Sequence, residues 1–279
     1  MIIGVIGAGT MGSGIAEIAA QQGQVVMLDV AMTRAEAGLQ AIDRRLSRGV
    51  ERGYVDEVQK EQILANITLS TELRDLAEAD IVLEAAAEDL EIKKELFVSL
   101  AEICSEQCIL ATNTSALSVT AIAAAVKNPA RVLGIHFFNP VPRMKLVELV
   151  KTPFAEQEYL AKAREFVEAL GKTAVLVDES PGFVVNRLLI PMINEAVYLL
   201  QEGVASAEDI DAAMQLGANH PMGPLALADL VGLDICLAIM ETLQRELGED
   251  KYRPAPLLRK MVRAGKLGRK TKAGFYHYN

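Results

Sequence analysis

His136 closes an apolar segment, residues 132–136, and Glu148 lies within the next, residues 145–150. If both segments are strands, neighbouring positions in a sheet can bring a histidine and a carboxylate together. That pair suits proton exchange with an alcohol. As a hydride leaves the carbinol carbon, a base that titrates near neutrality must take the hydroxyl proton. A carboxylate behind the ring fixes its tautomer and stabilises the imidazolium that forms. A lone strand histidine is also commonly a satisfied core residue, so the pair alone leaves both readings open.

A second set of residues addresses a dinucleotide. Gly7-Ala8-Gly9-Thr10-Met11-Gly12 follows an apolar segment at 2–6 and opens a helical pattern. In such a loop Gly7 permits the tight turn, Gly9 lets the backbone approach a pyrophosphate, and Gly12 allows close packing of helix on strand. The helix then presents its unpaired N–H groups and positive dipole end to the phosphates. Asp29 ends the next apolar segment about 20 residues on, where a carboxylate can accept both ribose hydroxyls. Its charge repels a 2′-phosphate, which points to NAD rather than NADP.

A third set is cationic. Leu39, Ile42, Leu46 and Val50 form one helical stripe, while Arg45, Arg48 and Arg52 share another face. These arginines could hold phosphates or could simply be a solvated charged face. Cys104, Cys108 and Cys236 show no zinc-type spacing to histidine, so they read as reduced packing residues and no metal is expected. His220, in a Pro/Gly loop, reads as structural, and His277 as a surface residue.

The elements that must position these groups follow from periodicity. Short β-branched runs at 2–6, 25–29, 66–70, 81–84, 109–112, 132–136, 145–150 and 173–177 alternate with longer helical patterns. Most runs are apolar throughout, as strands buried on both faces are. The alternation predicts an α/β fold with an open, mostly parallel, doubly wound sheet of Rossmann type. After Asp178 the pattern becomes helical, with segments near 183–202, 206–217, 223–247 and 255–264. The expected organisation is an NAD-binding domain over 1–180 and an all-α domain over 181–279.

Composition narrows the function further. The 279 residues carry a net charge of −9, which argues against nucleic acid and against a basic membrane-surface protein. The apolar N-terminus lacks a basic leader and is broken by glycines, so a cytoplasmic location is expected. No segment reads as a membrane span.

Read jointly, Asn113-Thr114-Ser115, His136-Phe-Phe-Asn139-Pro140, Asp178-Glu-Ser-Pro-Gly-Phe-Val-Val-Asn186-Arg187, His220-Pro-Met-Gly-Pro224 and Gly268-Arg-Lys-Thr-Lys-Ala-Gly-Phe-Tyr276 carry a resemblance. In that order, from Ile2 to Tyr278, they resemble the short-chain 3-hydroxyacyl-CoA dehydrogenases of the 3-hydroxybutyryl-CoA type. The resemblance implies an NAD-linked oxidoreductase of lipid metabolism acting on an acyl-CoA. It implies His136 as general base, Glu148 as its partner, Ser115 on the substrate oxygen and Asn186 as a substrate-positioning residue. It also implies cofactor contacts from Glu88, Lys93, Ser115, Asn139 and Lys270, and CoA contacts from Arg45 and Arg52. A homodimer through the second domain is implied as well. A sugar-acid dehydrogenase of the gulonate type on the same scaffold is the alternative. A non-catalytic, crystallin-like NAD-binding protein is another, against which the intact Ser115, His136, Glu148 and Asn186 argue.

Overall fold

The computed structural model describes residues 1–278. They form two compact units, Met1–Glu179 and the chain from Ser180 onward.

The first unit is built on eight strands: β1 (Ile2–Ile6), β2 (Gln24–Leu28), β3 (Ile67–Ser70), β4 (Ile81–Glu84), β5 (Ile109–Thr112), β6 (Val132–Phe137), β7 (Leu146–Lys151) and β8 (Thr173–Asp178). They form one sheet in the order β3-β2-β1-β4-β5-β6-β7-β8. The β6–β7 pair is antiparallel and the other six pairs are parallel. The α/β, doubly wound class expected from the alternating pattern is therefore present.

Continuous apolarity in the strands has a direct cause, because alternate residues enter two different cores. Ile3, Val5, Ile81, Leu83, Ile109, Ala111, Ile135 and Leu149 belong to one core. It also takes in side chains of α1 (Thr10–Ala19), α2 (Met32–Glu51) and α3 (Glu57–Ala65). Ile6, Val82, Leu110 and Val132 belong to the other, with Phe97 and Leu100 of α4 (Leu90–Ile103) and Ile122 of α5 (Val119–Ala123). The helix α6 (Gln157–Ala169) adds Leu160, Ala163 and Phe166 to the first core. Burying each large apolar side chain contributes about 1.5–3 kcal/mol.

The second unit is helical: α7 (Val185–Gln201), α8 (Ala207–Gly217), α9 (Pro224–Val231), α10 (Leu233–Leu247) and α11 (Pro256–Arg263). Ile190, Ile193, Val197, Leu225, Leu233, Met240 and Leu243 form its core. The continuous pattern expected at 223–247 is two helices, divided at Gly232. That glycine has φ 108°, a backbone conformation no helix contains and L side chains rarely adopt. Asp211 holds the start of α9 by accepting the N–H groups of Leu225 (2.7 Å) and Ala226 (2.9 Å). No helix among the described residues is long and apolar enough to cross a membrane.

Candidate active site

His136 and Glu148 stand opposite each other in the antiparallel β6–β7 register. Paired residues share a face, so the side chains meet there: His136 Nδ1 lies 2.8 Å from Glu148 Oε2. Both groups are buried, at 7% and 1% side-chain exposure. The Phe138 ring packs against the imidazole at 4.5 Å between centroids. With Nδ1 engaged by the carboxylate, proton exchange with a substrate falls to Nε2. β6 runs one residue beyond the expected segment because Phe137 also pairs with Val147. The Phe137 N–H donates to Asn113 Oδ1 at 2.8 Å, which ties the end of β6 to the end of β5.

The same sheet face holds more polar groups. Glu84 pairs in register with Thr112, and Thr112 with Gly134, two residues before His136. By strand alternation Glu84, Thr112 and His136 lie on one face, near the carboxyl ends of parallel strands, where doubly wound sheets bind ligands. The Glu84 carboxylate is fully buried. It accepts from Ala86 N–H (2.7 Å), Lys93 Nζ (2.5 Å) and the Thr112 hydroxyl (2.7 Å). Lys93 is 1% exposed, and its ammonium also lies 3.4 Å from Glu88 Oε2. Glu88 in turn accepts the Thr114 hydroxyl and, at 3.3 Å, the backbone N–H of Ser115. Ser115, Glu88 and Lys93 are thus brought into one network. Glu84, Thr112 and Thr114 join it unannounced by spacing. The one local signal for Glu84 is a carboxylate closing an otherwise apolar strand.

The glycine loop has the shape a dinucleotide requires. Gly7 adopts φ 93°. A Cβ on Gly12 would stand 1.6 Å from the Gly7 carbonyl oxygen, so helix and loop close only around glycine. A Cβ on Gly9 would meet nothing within 4 Å, which leaves the backbone there open to approach. No side chain caps α1, so its first N–H groups face outward from the motif that includes Ala8, Thr10 and Met11. Asp29 stands one residue past β2, in the turn rather than in the strand as expected. Its Oδ2 accepts Ala8 N–H and its Oδ1 accepts Val30 N–H, both at 2.8 Å. Those two bonds hold an intermediate-exposure carboxylate beside the loop. These residues fit NAD.

The remaining residues are placed as follows. Asn139 is exposed just beyond β6. The loop that follows it is pinned by Lys172, whose Nζ donates to the carbonyls of Val141 (2.6 Å) and Met144 (2.8 Å). Burial lowers the pKa of this ammonium. Arg45 lies on α2 and donates from Nε to Glu17 Oε2 at 2.6 Å and from Nη2 to Ser13 Oγ at 3.4 Å. Its partner Glu17 is buried in α1, and desolvation raises that pKa although Arg45 pulls it down. Arg52 is exposed at the end of α2. In the second unit, Asn186 is half-buried in the first turn of α7. Lys270 is exposed and pairs with Asp234 at 2.7 Å.

The sequence profile of the 3-hydroxyacyl-CoA dehydrogenase NAD binding domain matches residues 2–180, and that of the C-terminal domain matches residues 182–278. A 3-hydroxybutyryl-CoA dehydrogenase of Clostridioides difficile is 51% identical over 280 residues, 100% of each chain. A probable 3-hydroxybutyryl-CoA dehydrogenase of Bacillus subtilis (strain 168) is 52% identical over 98% of this chain and 96% of its own. The solved structure of (S)-3-hydroxybutyryl-CoA dehydrogenase from Ralstonia eutropha matches with a TM-score of 0.96 and 46% identity, covering 100% of this chain and 99% of the other. This chain belongs to the 3-hydroxyacyl-CoA dehydrogenase family.

Proposed function

We propose that the chain is an NAD-dependent dehydrogenase that interconverts (S)-3-hydroxyacyl-CoA and 3-ketoacyl-CoA, with 3-hydroxybutyryl-CoA as its substrate. The observation that carries the chemistry is the buried His136–Glu148 pair, 2.8 Å apart on the face of the sheet that also holds Glu84 and Thr112. The family match and the names of the relatives support the acyl-CoA class.

Held by the Gly7–Gly12 loop and Asp29, the cofactor would supply the hydride acceptor as NAD in oxidation and the hydride donor as NADH in reduction. His136 takes the substrate hydroxyl proton at Nε2 during oxidation and gives one back to the ketone oxygen during reduction. Glu148 keeps the ring oriented and offsets the imidazolium charge, an effect strengthened by the low local dielectric of a buried pair. We assign Ser115 to the substrate oxygen and Asn186 to substrate positioning. Gly7 through Gly12 and Asp29 hold the cofactor, assisted by Glu88, Lys93, Asn139 and Lys270. Arg45 and Arg52 are assigned to the phosphates of CoA. The working form is a cytoplasmic homodimer joined through the second unit.

Initial rates test this reading. With NADH, acetoacetyl-CoA should be reduced with a kcat/KM inside the ordinary enzymatic range of about 10⁴–10⁸ M⁻¹s⁻¹. A side-by-side assay with gulonate and NAD should give far slower turnover. Faster turnover of the sugar acid than of any acyl-CoA in a chain-length series overturns the assignment.

A further inference from the structure

We propose that Glu84 is the positioning residue for Ser115, acting through a closed ring of hydrogen bonds and ion pairs. The proposal rests on the reading of Ser115 as a substrate-oxygen donor. It adds a residue that no motif in the sequence singles out.

The ring can be followed atom by atom. Glu84 Oε2 accepts the Thr112 hydroxyl at 2.7 Å. That hydroxyl has spent its proton on Glu84, so its lone pair is turned to the Thr114 N–H at 3.2 Å. The Thr114 hydroxyl donates to Glu88 Oε1, and its oxygen accepts the N–H groups of Ala116 (3.3 Å) and Leu117 (3.0 Å). Glu88 Oε2 faces Lys93 Nζ at 3.4 Å, and Lys93 returns to Glu84 Oε1 at 2.5 Å. Glu84 therefore reaches the 112–117 stretch twice, directly at Thr112 and through Lys93 and Glu88 at Thr114. Ser115 lies in the middle of that stretch. The ring takes its N–H, which donates to Glu88 at 3.3 Å, and not its hydroxyl.

Charge explains why the ring needs glutamate at 84. One ammonium serves two carboxylates. Glu84 is fully buried, whereas Glu88 is 44% exposed at its side chain. The buried carboxylate dominates the ammonium, because a charge removed from water depends on its partner far more than a solvated one does. Glu88 is thereby left to hold Thr114 and Ser115. Glutamine at 84 keeps the shape but cannot accept three donors, and the Lys93 ammonium then turns to Glu88. The loop bearing Ser115 loses its anchor. Small displacements of a reacting group matter, since about 1 Å can cost on the order of 10²-fold in rate.

The experiment is a double-mutant cycle on the full-length protein with acetoacetyl-CoA and NADH. Glu84→Gln should lower kcat roughly ten- to a hundredfold while the KM for acetoacetyl-CoA changes little. In a Ser115→Ala background the same change should cost almost nothing further, because both act through one hydroxyl. Rates are read at saturating NADH, so that a change in cofactor affinity transmitted through Lys93 and Glu88 does not enter kcat. Thr112→Val opens the ring without touching a charge and should show the same non-additivity, so the test survives if Glu84→Gln fails to fold. Equal losses in the two backgrounds or wild-type kinetics in Glu84→Gln would overturn the proposal. A wild-type protein inert toward acetoacetyl-CoA would instead remove the functional reading beneath it.

Discussion

At the scale of single residues, the proposed chemistry rests on one imidazole and the carboxylate across from it. General-base catalysis is worth about 10²–10⁴-fold, roughly 3–5 kcal/mol of barrier. His136→Asn should lower kcat by that factor and leave NADH affinity near wild type. Glu148→Gln keeps the shape of the 2.8 Å contact but removes the charge that supports the imidazolium, so its loss is severe as well. The double variant should be little worse than His136→Asn, because both changes act on one ring. A double-variant loss equal to the product of the single losses would dissolve the pair. We assign Asp29 to a different choice, that between the two cofactors. Asp29→Ser should weaken NADH use and relatively improve NADPH, since a repulsive carboxylate leaves the ribose. The ratio of the two kcat/KM values measures this directly.

At the scale of elements, α1 and α2 are joined by a charge pair that changes how the arginine face is understood. Arg45 pairs with Glu17 on the neighbouring helix and keeps 32% of its side chain exposed, whereas Arg52 has no such neighbour among the described residues and is exposed. Burial makes ionised Glu17 costly to the folded state and raises its pKa, an effect that Arg45 offsets. A carboxyl group whose pKa is raised by folding withdraws stability as the pH climbs from the ordinary carboxylate range through the raised value. Removing the arginine enlarges that withdrawal. Arg45→Met should therefore destabilise the protein by about 1–2 kcal/mol at pH 7, below the buried-pair figure because Arg45 is partly exposed. The loss should shrink toward pH 5, and Glu17→Gln added to it should restore most of the Tm. A Tm deficit independent of pH would refute this. Arg52 then gives the cleaner view of CoA contact. Arg52→Glu should raise the KM for acetoacetyl-CoA and leave that for a short ketone lacking phosphates unchanged.

At the scale of the whole molecule, the helical unit leaves apolar side chains uncovered. Leu188 on α7 is 72% exposed, Leu230 on α9 49% and Ile235 on α10 45%. Single exposed apolar residues are ordinary, but several large ones on helices of one 100-residue unit suit an interface. A twofold dimer is the simplest assembly that buries one patch against its own copy. Light scattering at micromolar concentration should give twice the 30.2 kDa chain mass, and Leu188→Glu should shift it toward the monomer. A monomeric wild type would exclude this assembly.

The sequence by itself determined what local pattern can encode. Runs at β1, β4 and β5 match the strands residue for residue, because strands buried on both faces read as nearly continuous apolar segments up to the Glu84 and Thr112 that close β4 and β5. The glycine spacing of Gly7, Gly9 and Gly12 announced its own turn, since each position is a local backbone requirement. The mutual placement of His136 and Glu148 was legible because two consecutive strands joined by a short loop tend to be neighbours. Other features depended on what lies far along the chain. Glu84 meets Thr112 and Glu17 meets Arg45, each across 28 residues. No periodicity links such pairs; they exist only after the β4–β5 register and the packing of α1 on α2 bring them into reach. Gly232 divides what reads as one amphipathic helix; an isolated glycine is tolerated inside a helical pattern, and only its φ of 108° marks the break. Register and helix packing are long-range choices, and only the tertiary structure makes them.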